Sequence, residues 1–589
     1  MNPIQKEIER RLTFAIISHP DAGKTTITEK LLLFGGAIHT AGAVKSKKNT
    51  RKTVSDFMQM EQERGISIST SVMGFEYRGR KINLLDTPGH EDFSEDTYRT
   101  LTVVDSALMV IDSVKGVEDR TRKLCEICRM RKTPIITFMN KLDREGRDPM
   151  ELLDQVEEEL GITVCPMSWP VGQGREFRGV YSLYEKRLIL FDPHGRQDAD
   201  SSVEITDLQD PTLDAKVGKS LADKLREDVA LLQEVYPPFD RQSYLDGIQT
   251  PVFFGSALNN FGVRELLDCF VDIAPPPLPR PLEGGSYVSP FAEKFSGLIF
   301  KIHANLDPRH RDRIAFMRVC SGVFERNKTY FHVRSGKTFK TANPTAFMAQ
   351  DRSIIEEAYP GDIIGIHDTG TFKIGDAITE GEILRFTGIP SFAPQIFKVV
   401  VNLDPLKSKQ LEKGLDQLTE EGVVQVFTRL NSSQRLLGVV GQLQFDVLQF
   451  RLETEYKAQC RFEPTEYTSA CWVHCGDKAR LDEFIRRHES KLCRDREGRL
   501  VFLARNRWTI ERTFQEEKGI QYYFTSDYES RSFSVKKQQN GTSHRNEGSQ
   551  DFPEPDRFVE EQVGGPDDQN RHQCHDGGGH PSTGMLDGK

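Results

Sequence analysis

Residues 12–36, "LTFAIISHPDAGKTTITEKLLLFGG", constrain the fold more than any other stretch of the chain. A short apolar run rich in β-formers ends at Ser18 and Pro20, and an amphipathic segment then runs to the helix-stop pair Gly35-Gly36. The loop between them ends in Gly23-Lys24-Thr25. Strand, loop and helix in this order are what a phosphate-binding loop requires, because the loop N–H groups and the helix N-terminus then face the phosphates. Lys24 would reach the β- and γ-phosphates and the Thr25 hydroxyl would ligate Mg2+. A chance Gly-Lys-Thr in a turn would lack the flanking elements. The loop departs from the usual G-x-x-x-x-G-K-[ST] pattern at one position, where Ser18 replaces the first glycine. The expected phosphate-contacting set is Ser18, His19, Pro20, Asp21, Ala22, Gly23, Lys24, Thr25 and Thr26. Spacing gives no role to His19 or Asp21.

Three further apolar runs end in chemistry-bearing residues. "INLLDTPGH" closes on Asp86, Thr87, Pro88, Gly89 and His90; a carboxylate at that strand end can hold magnesium, and the Gly89 N–H can sense the γ-phosphate. "TPIITFMNKLD" closes on Asn140, Lys141, Leu142 and Asp143, whose carboxylate can accept hydrogen bonds from N1–H and the 2-amino group of guanine. Adenine offers neither donor, so Asp143 would select GTP. "TPVFFGSALNNFG" places Ser256, Ala257 and Leu258 at a fourth strand end, suited to a backbone contact with the guanine oxygen. All four sites fall at C-terminal ends of successive strands, where ligands bind in open α/β sheets. Together they indicate a GTP-binding domain.

Composition sets the limits. The 589 residues leave room for several domains, and 37% hydrophobic with 28% charged residues is ordinary for a chain that folds in water. No apolar run reaches membrane-spanning length, so no membrane role is expected. Charges stand where a signal peptide would need its apolar region, and ten scattered cysteines suit a reducing cytoplasm, so a cytoplasmic protein is expected. Cys125 and Cys128 form a lone C-x-x-C within a helical pattern, and ordinary helix cysteines are the simpler reading. A net charge of −9 argues against a generic nucleic-acid binder.

"SHPDAGKTT", "RGISI", "DTPGHEDF" and "NKLD" resemble the translational GTPases, ribosome-dependent relatives of elongation factor G. The resemblance extends over roughly residues 8–527, through "FKIHANLDPRHRDRIAFMRVCSG", "EEAYPGDIIGIHD" and "GVVGQLQFDVLQFRL", and points to the branch acting in translation termination. In this family the first loop position is often not glycine, so Ser18 is not expected to disable the site. The family places a Mg2+-ligating threonine where Ser67 stands; serine keeps the hydroxyl, and Ser69 and Thr70 carry others nearby. The implied metal set is Thr25, Ser67 and Asp86, with GTP/GDP and Mg2+ as cofactors. His90 is implied to carry the chemistry by reaching the attacking water once the ribosome orients it; a structural histidine is the plainer alternative. The implied partners are the ribosome at its factor-binding site and class 1 release factors, whose dissociation after peptide release the chain would stimulate without codon specificity. A monomer is expected. An elongation-factor-like or ribosome-protection GTPase is the alternative, and a GTP-dependent switch with no ribosomal partner a third reading.

The expected fold is α/β: a P-loop GTPase domain over 1–280 with an insertion at about 160–245, a 281–293 linker marked by the proline cluster "APPPLPRPLEGG", a β-barrel domain over 294–388, and an α+β domain over 389–530. "GQG" at 172–174 reads as a turn. Leu411, Leu415 and Leu418 share one helix face, and Leu481, Phe484 and Ile485 another, both suited to core packing. "KSKKNTRK" packs five cations between Lys45 and Lys52, readable as a solvated loop or as a contact to RNA phosphates. Residues 531–589 are polar and Gly-rich, too poor in apolar surface to offset ordering entropy, and are expected to be a disordered tail. His572, Cys574, His575 and His580 there could at most bind a metal weakly. Elongation factor G continues into two more folded domains, whereas here the folded pattern ends near residue 528, so no tRNA translocation is expected.

Overall fold

The computed structural model describes residues 2–38, 60–61, 66–190, 202–304, 313–348, 351–389, 391–432 and 434–526. The Lys45–Lys52 stretch, the 531–589 tail and its histidines and cysteine lie outside the described residues.

The first domain is a twisted sheet. Its strands are β1 (Arg11–Ser18), β2 (Ser71–Tyr77), β3 (Arg80–Asp86), β4 (Ser106–Asp112), β5 (Ile135–Asn140), β6 (Thr163–Pro166) and β7 (Gln249–Phe254). They lie in the order β2-β3-β1-β4-β5-β7-β6, all parallel except the β2–β3 pair. β1, β4, β5 and β7 are buried along their whole length, as strands covered by helices on both faces must be. The first such helix, α1 (Lys24–Phe34), starts directly after the loop; α2 (Ser94–Val103) and α3 (Asp119–Met130) follow. The core joins Phe14 and Ile16 of β1, Ile27 and Leu31 of α1, and Phe138, Phe253, Leu266 and Phe270.

The insertion adds a separate four-stranded antiparallel sheet over Ser168–Val171, Gly179–Ser182, Arg187–Leu190 and Ser202–Glu204, with helices Pro211–Val217 and Lys219–Val235. Gly172 and Gly174, both with positive φ, make the turn at "GQG". Cys125 and Cys128 sit buried on α3, and burial pushes the Cys125 thiol up to about 11. Among the described residues no group of three or more His, Cys, Asp or Glu could hold a metal ion.

Arg280–Pro281, at the edge of the expected linker, pairs antiparallel with Tyr287–Val288, and Leu282 bridges to Phe386, so this stretch is a fixed strap. Its anchor is Arg280, buried against Asp105. The expected barrel is a curled antiparallel half-barrel built on the long pair Ser296–Ala304 and Arg313–Ser321. It joins the first sheet where Thr345–Met348 runs parallel to β2 at Met348 and Gly74. The third domain is one eight-stranded sheet with two helices per half. Helix α4 (Ser408–Glu420) buries Leu411, Leu415 and Leu418 as its pattern demands, and α5 (Gln442–Thr454) buries Phe445, Val447 and Leu448. In the second half Phe484 is buried, with Leu481 and Ile485 packed at the edge of that core.

Candidate guanine-nucleotide site

The loop between β1 and α1 folds without a glycine at its first position. Ser18 is the last residue of β1, buried, and its hydroxyl donates to the His19 carbonyl at 2.8 Å. Left-handed backbone is instead needed at Asp21 (φ 66°) and Gly23 (φ 99°). Only Gly23 is sterically fixed, since a Cβ there would lie 2.3 Å from Asn140 Nδ2. Pro20 and Asp21 form the exposed tip, and Thr26 follows half-buried in the first turn of α1. His19 is turned inward. Its Nε2 lies 3.2 Å from Glu118 Oε2 and its Nδ1 3.5 Å from Thr121 Oγ1, and burial holds its pKa below the usual imidazole value against the pull of Glu118.

At the start of α1 the residues implied to hold a metal converge. Lys24 Nζ donates to Asp86 Oδ1 at 2.9 Å and lies 3.4 Å from Ser67 Oγ; Thr25 Oγ1 is also 3.4 Å from Ser67 Oγ. Lys24 and Asp86 are both buried, so their pairing is weakly screened. Of the three hydroxyls that sequence left open, only Ser67 reaches this point. The Ser69 hydroxyl receives Lys301 Nζ, and Thr70 Oγ1 pairs with Thr100 Oγ1 at 2.9 Å. A carboxylate and two hydroxyls are the hard oxygen donors that Mg2+ takes.

After Asp86 the chain turns under the loop. Thr87 donates its hydroxyl to the Ile16 carbonyl at 2.7 Å, Pro88 accepts from Thr97 Oγ1 at 3.2 Å, and Gly89 packs against the Pro20 backbone. His90 is about 38% exposed. Its Nδ1 accepts the Asp92 backbone N–H at 3.2 Å, which caps the short 3-10 turn Glu91–Phe93, and its ring meets the Phe93 edge.

The motifs expected to meet the base form the opposite wall. Asn140 is buried and divided between two motifs: Nδ2 donates to the Ala22 carbonyl at 2.8 Å, and Oδ1 accepts the Ala257 N–H at 2.9 Å. Lys141, in left-handed backbone, bridges the Asp21 carbonyl and Asp112 Oδ2. Leu142 is buried and its N–H donates to Gly255. Half-buried Asp143 accepts the Ser256 hydroxyl at 2.5 Å. Leu258 stands apart, its side chain exposed on the turn beyond Ala257. The strands thus bring together the loop, Asp86, the Asn140–Asp143 run and Ser256-Ala257 at one edge of the sheet.

Sequence reasoning missed the supports of this site. Asp112 ends β4 as Asp86 ends β3, a signal that could have found it. Glu61 accepts the N–H groups of Ile68 and Ser69 at 2.9 and 3.1 Å, fixing the segment that carries Ser67. Lys301, a lone cation in the apolar strand "GLIFKIHA", reaches Ser69, the Thr70 carbonyl and Asp96. Burial alone would raise the Asp96 pKa, but Lys301 and the Thr70 N–H outweigh it and hold it below the usual range.

Three family models match the chain in succession. Residues 9–276 match "Elongation factor Tu GTP binding domain", 294–381 "Elongation factor G domain 2", and 386–514 "Class II release factor RF3, C-terminal domain". A crystal structure of a Thermus thermophilus protein has the same fold, with a TM-score of 0.62 and 21% identity over 79% of this chain and 70% of that one. Among the described residues no helix is long and apolar enough to cross a membrane. The nucleotide domain makes the protein a guanine-nucleotide-binding, GTP-hydrolysing enzyme. With all three domains in this order, the chain belongs to the release factor 3-type translational GTPases.

Proposed function

We propose that the protein hydrolyses GTP on the ribosome and thereby drives stop-codon-reading class 1 release factors off after peptide release, with no codon preference of its own. The observation that carries this reading is the match to the class II release factor domain at 386–514, downstream of a GTP-binding domain and a half-barrel. Asp143 would accept the two guanine N–H groups, with Ser256 holding its carboxylate in place. Lys24 and the loop N–H groups would bind the phosphates. Mg2+ would sit on Thr25, Ser67 and Asp86, and when bound would neutralise charge developing between the β- and γ-phosphates. His90 would position the attacking water. A body that stabilises one of two ribosomal states through differential contacts ejects a ligand bound to the other. The protein would act as a monomer in the cytoplasm.

The deciding experiment follows a fluorescent class 1 release factor on terminated ribosomes while GTP turnover and tRNA translocation are measured on the same ribosomes. Faster release-factor departure with GTP and no translocation supports the proposal. Translocation with no effect on release-factor departure refutes it in favour of an elongation role.

A further inference from the structure

The turn that carries His90 is held from the third domain. Asp92 Oδ2 accepts the Leu443 N–H at 2.6 Å, at the N-terminus of α5, across 351 residues of sequence. The contact is close enough that a Cβ on Gly441 would fall 2.0–2.4 Å from the Asp92 carboxyl atoms. The same helix grips the turn a second time: Val447 packs with Phe93, Met60 and Ile68 in one apolar cluster. A carboxylate on a helix N-terminus is held by both the free N–H groups and the helix dipole. Through Asp92 the grip passes to His90, whose Nδ1 receives the Asp92 backbone N–H and lies 3.2 Å from Asp92 Oδ1. In this arrangement the described hydrogen bond of the imidazole is to its own turn and its ring contact is to Phe93.

We propose that Asp92 is a positioning residue for GTP hydrolysis: seated on the N-terminus of α5, it keeps His90 parked on the 91–93 turn, so hydrolysis waits on displacement of the third-domain helix. This rests on the reading of His90 as the residue that positions water. The third domain then acts on the reaction by holding the histidine back, and a partner that draws α5 away releases it. The parked state is favoured by one charge–helix contact, which sets the size of the effect.

Gly441→Ala tests the idea without touching the GTPase domain. Gly441 has φ −138° and ψ 161°, which alanine adopts freely, so the substitution pushes on Asp92 without straining its own backbone. Single-turnover GTP hydrolysis without ribosomes should rise about tenfold in Gly441→Ala and in Asp92→Ala, with KM for GTP unchanged. Asp92→Asn keeps an acceptor for the Leu443 N–H but loses the charge facing the helix end, so its rate should rise less than that of Asp92→Ala. The rise should vanish when either variant is combined with His90→Ala. An unchanged or slower ribosome-free rate in Gly441→Ala, shown by circular dichroism to be folded, overturns the proposal while leaving the His90 reading intact. If His90→Ala alone keeps full ribosome-stimulated turnover, the His90 reading fails and this proposal fails with it.

Discussion

Asn140 ties the phosphate loop to the Ser256-Ala257 turn, and replacing it separates nucleotide binding from folding. Asn140→Asp keeps the oxygen that receives the Ala257 N–H and exchanges the Nδ2 donor for a carboxylate oxygen facing the Ala22 carbonyl across 2.8 Å. One hydrogen bond worth about 1 kcal/mol is lost, and a buried acceptor left facing another acceptor costs about 1–3 kcal/mol more. The sum of about 2–4 kcal/mol falls on the loop expected to meet the phosphates, because the other half of the side chain is unchanged. It corresponds to a guanine-nucleotide affinity roughly 30- to 1000-fold weaker. Asn140→Ala removes both bonds and leaves the Ala22 carbonyl and the Ala257 N–H buried without this partner, so it should also lower the unfolding midpoint. Titration with a fluorescent GDP analogue measures the first effect and a thermal melt the second. Asn140→Asp binding GDP as tightly as the unsubstituted protein would refute the tie.

Four further outcomes follow from the same geometry. Asp143→Asn, which turns two acceptors into one donor and one acceptor, should weaken GTP and favour xanthine nucleotides; unchanged GTP affinity in a nucleotide titration would remove Asp143 from the base site. His90→Ala should bind GTP normally but lose ribosome-stimulated turnover on the order of 100-fold, and an equal loss of binding would make His90 structural. Asp105→Asn leaves the buried guanidiniums of Arg280 and Arg318 without their shared charge and should cost about 3–5 kcal/mol of stability in a urea titration; an unmoved midpoint would show the pair to be idle. Burial keeps the folded-state pKa of His19 below its reference value of 6.5, so the unfolded chain binds the extra proton and stability falls as pH drops below that value. His19→Gln should flatten this slope in melts run from about pH 5 to 7, and a parallel slope would exclude His19 as its source.

The nucleotide domain was largely legible because its signals are local. Apolar runs such as "LTFAIIS" and "IITFMN" are buried on both faces, and the motifs that follow them gather at one edge of the sheet. Ser67, named on resemblance, falls beside Lys24 and Thr25, whereas Ser69 and Thr70 do not. What sequence did not yield is the joinery between domains. Asp92 meets Leu443, and Arg11 meets Asp362, in each case 351 residues apart, through single polar side chains that leave no periodic trace. Lys301 was visible as an anomaly in an apolar strand, but its targets were not. The strap read as a linker because its prolines mark an irregular chain, while its fixity comes from Arg280, an arginine within the proline run that is buried against Asp105.

That arginine belongs to a joint with a mechanical consequence. Asp105 Oδ1 accepts from the Leu278 N–H and from Arg280, and Oδ2 from Arg318 of the half-barrel. The same two guanidiniums cap the carbonyls of Thr102, Val103 and Val104 where α2 ends. The C-terminal end of a helix carries partial negative charge, so the two cations are held there by the helix end as well as by the carboxylate. At its far end α2 begins directly after the turn that bears His90. The helix is therefore held at one end by the half-barrel and at the other by the contacts of the 91–93 turn with the third domain. A load on the half-barrel would therefore reach the turn that bears His90 through about three turns of helix, with no loop between the joint and the turn.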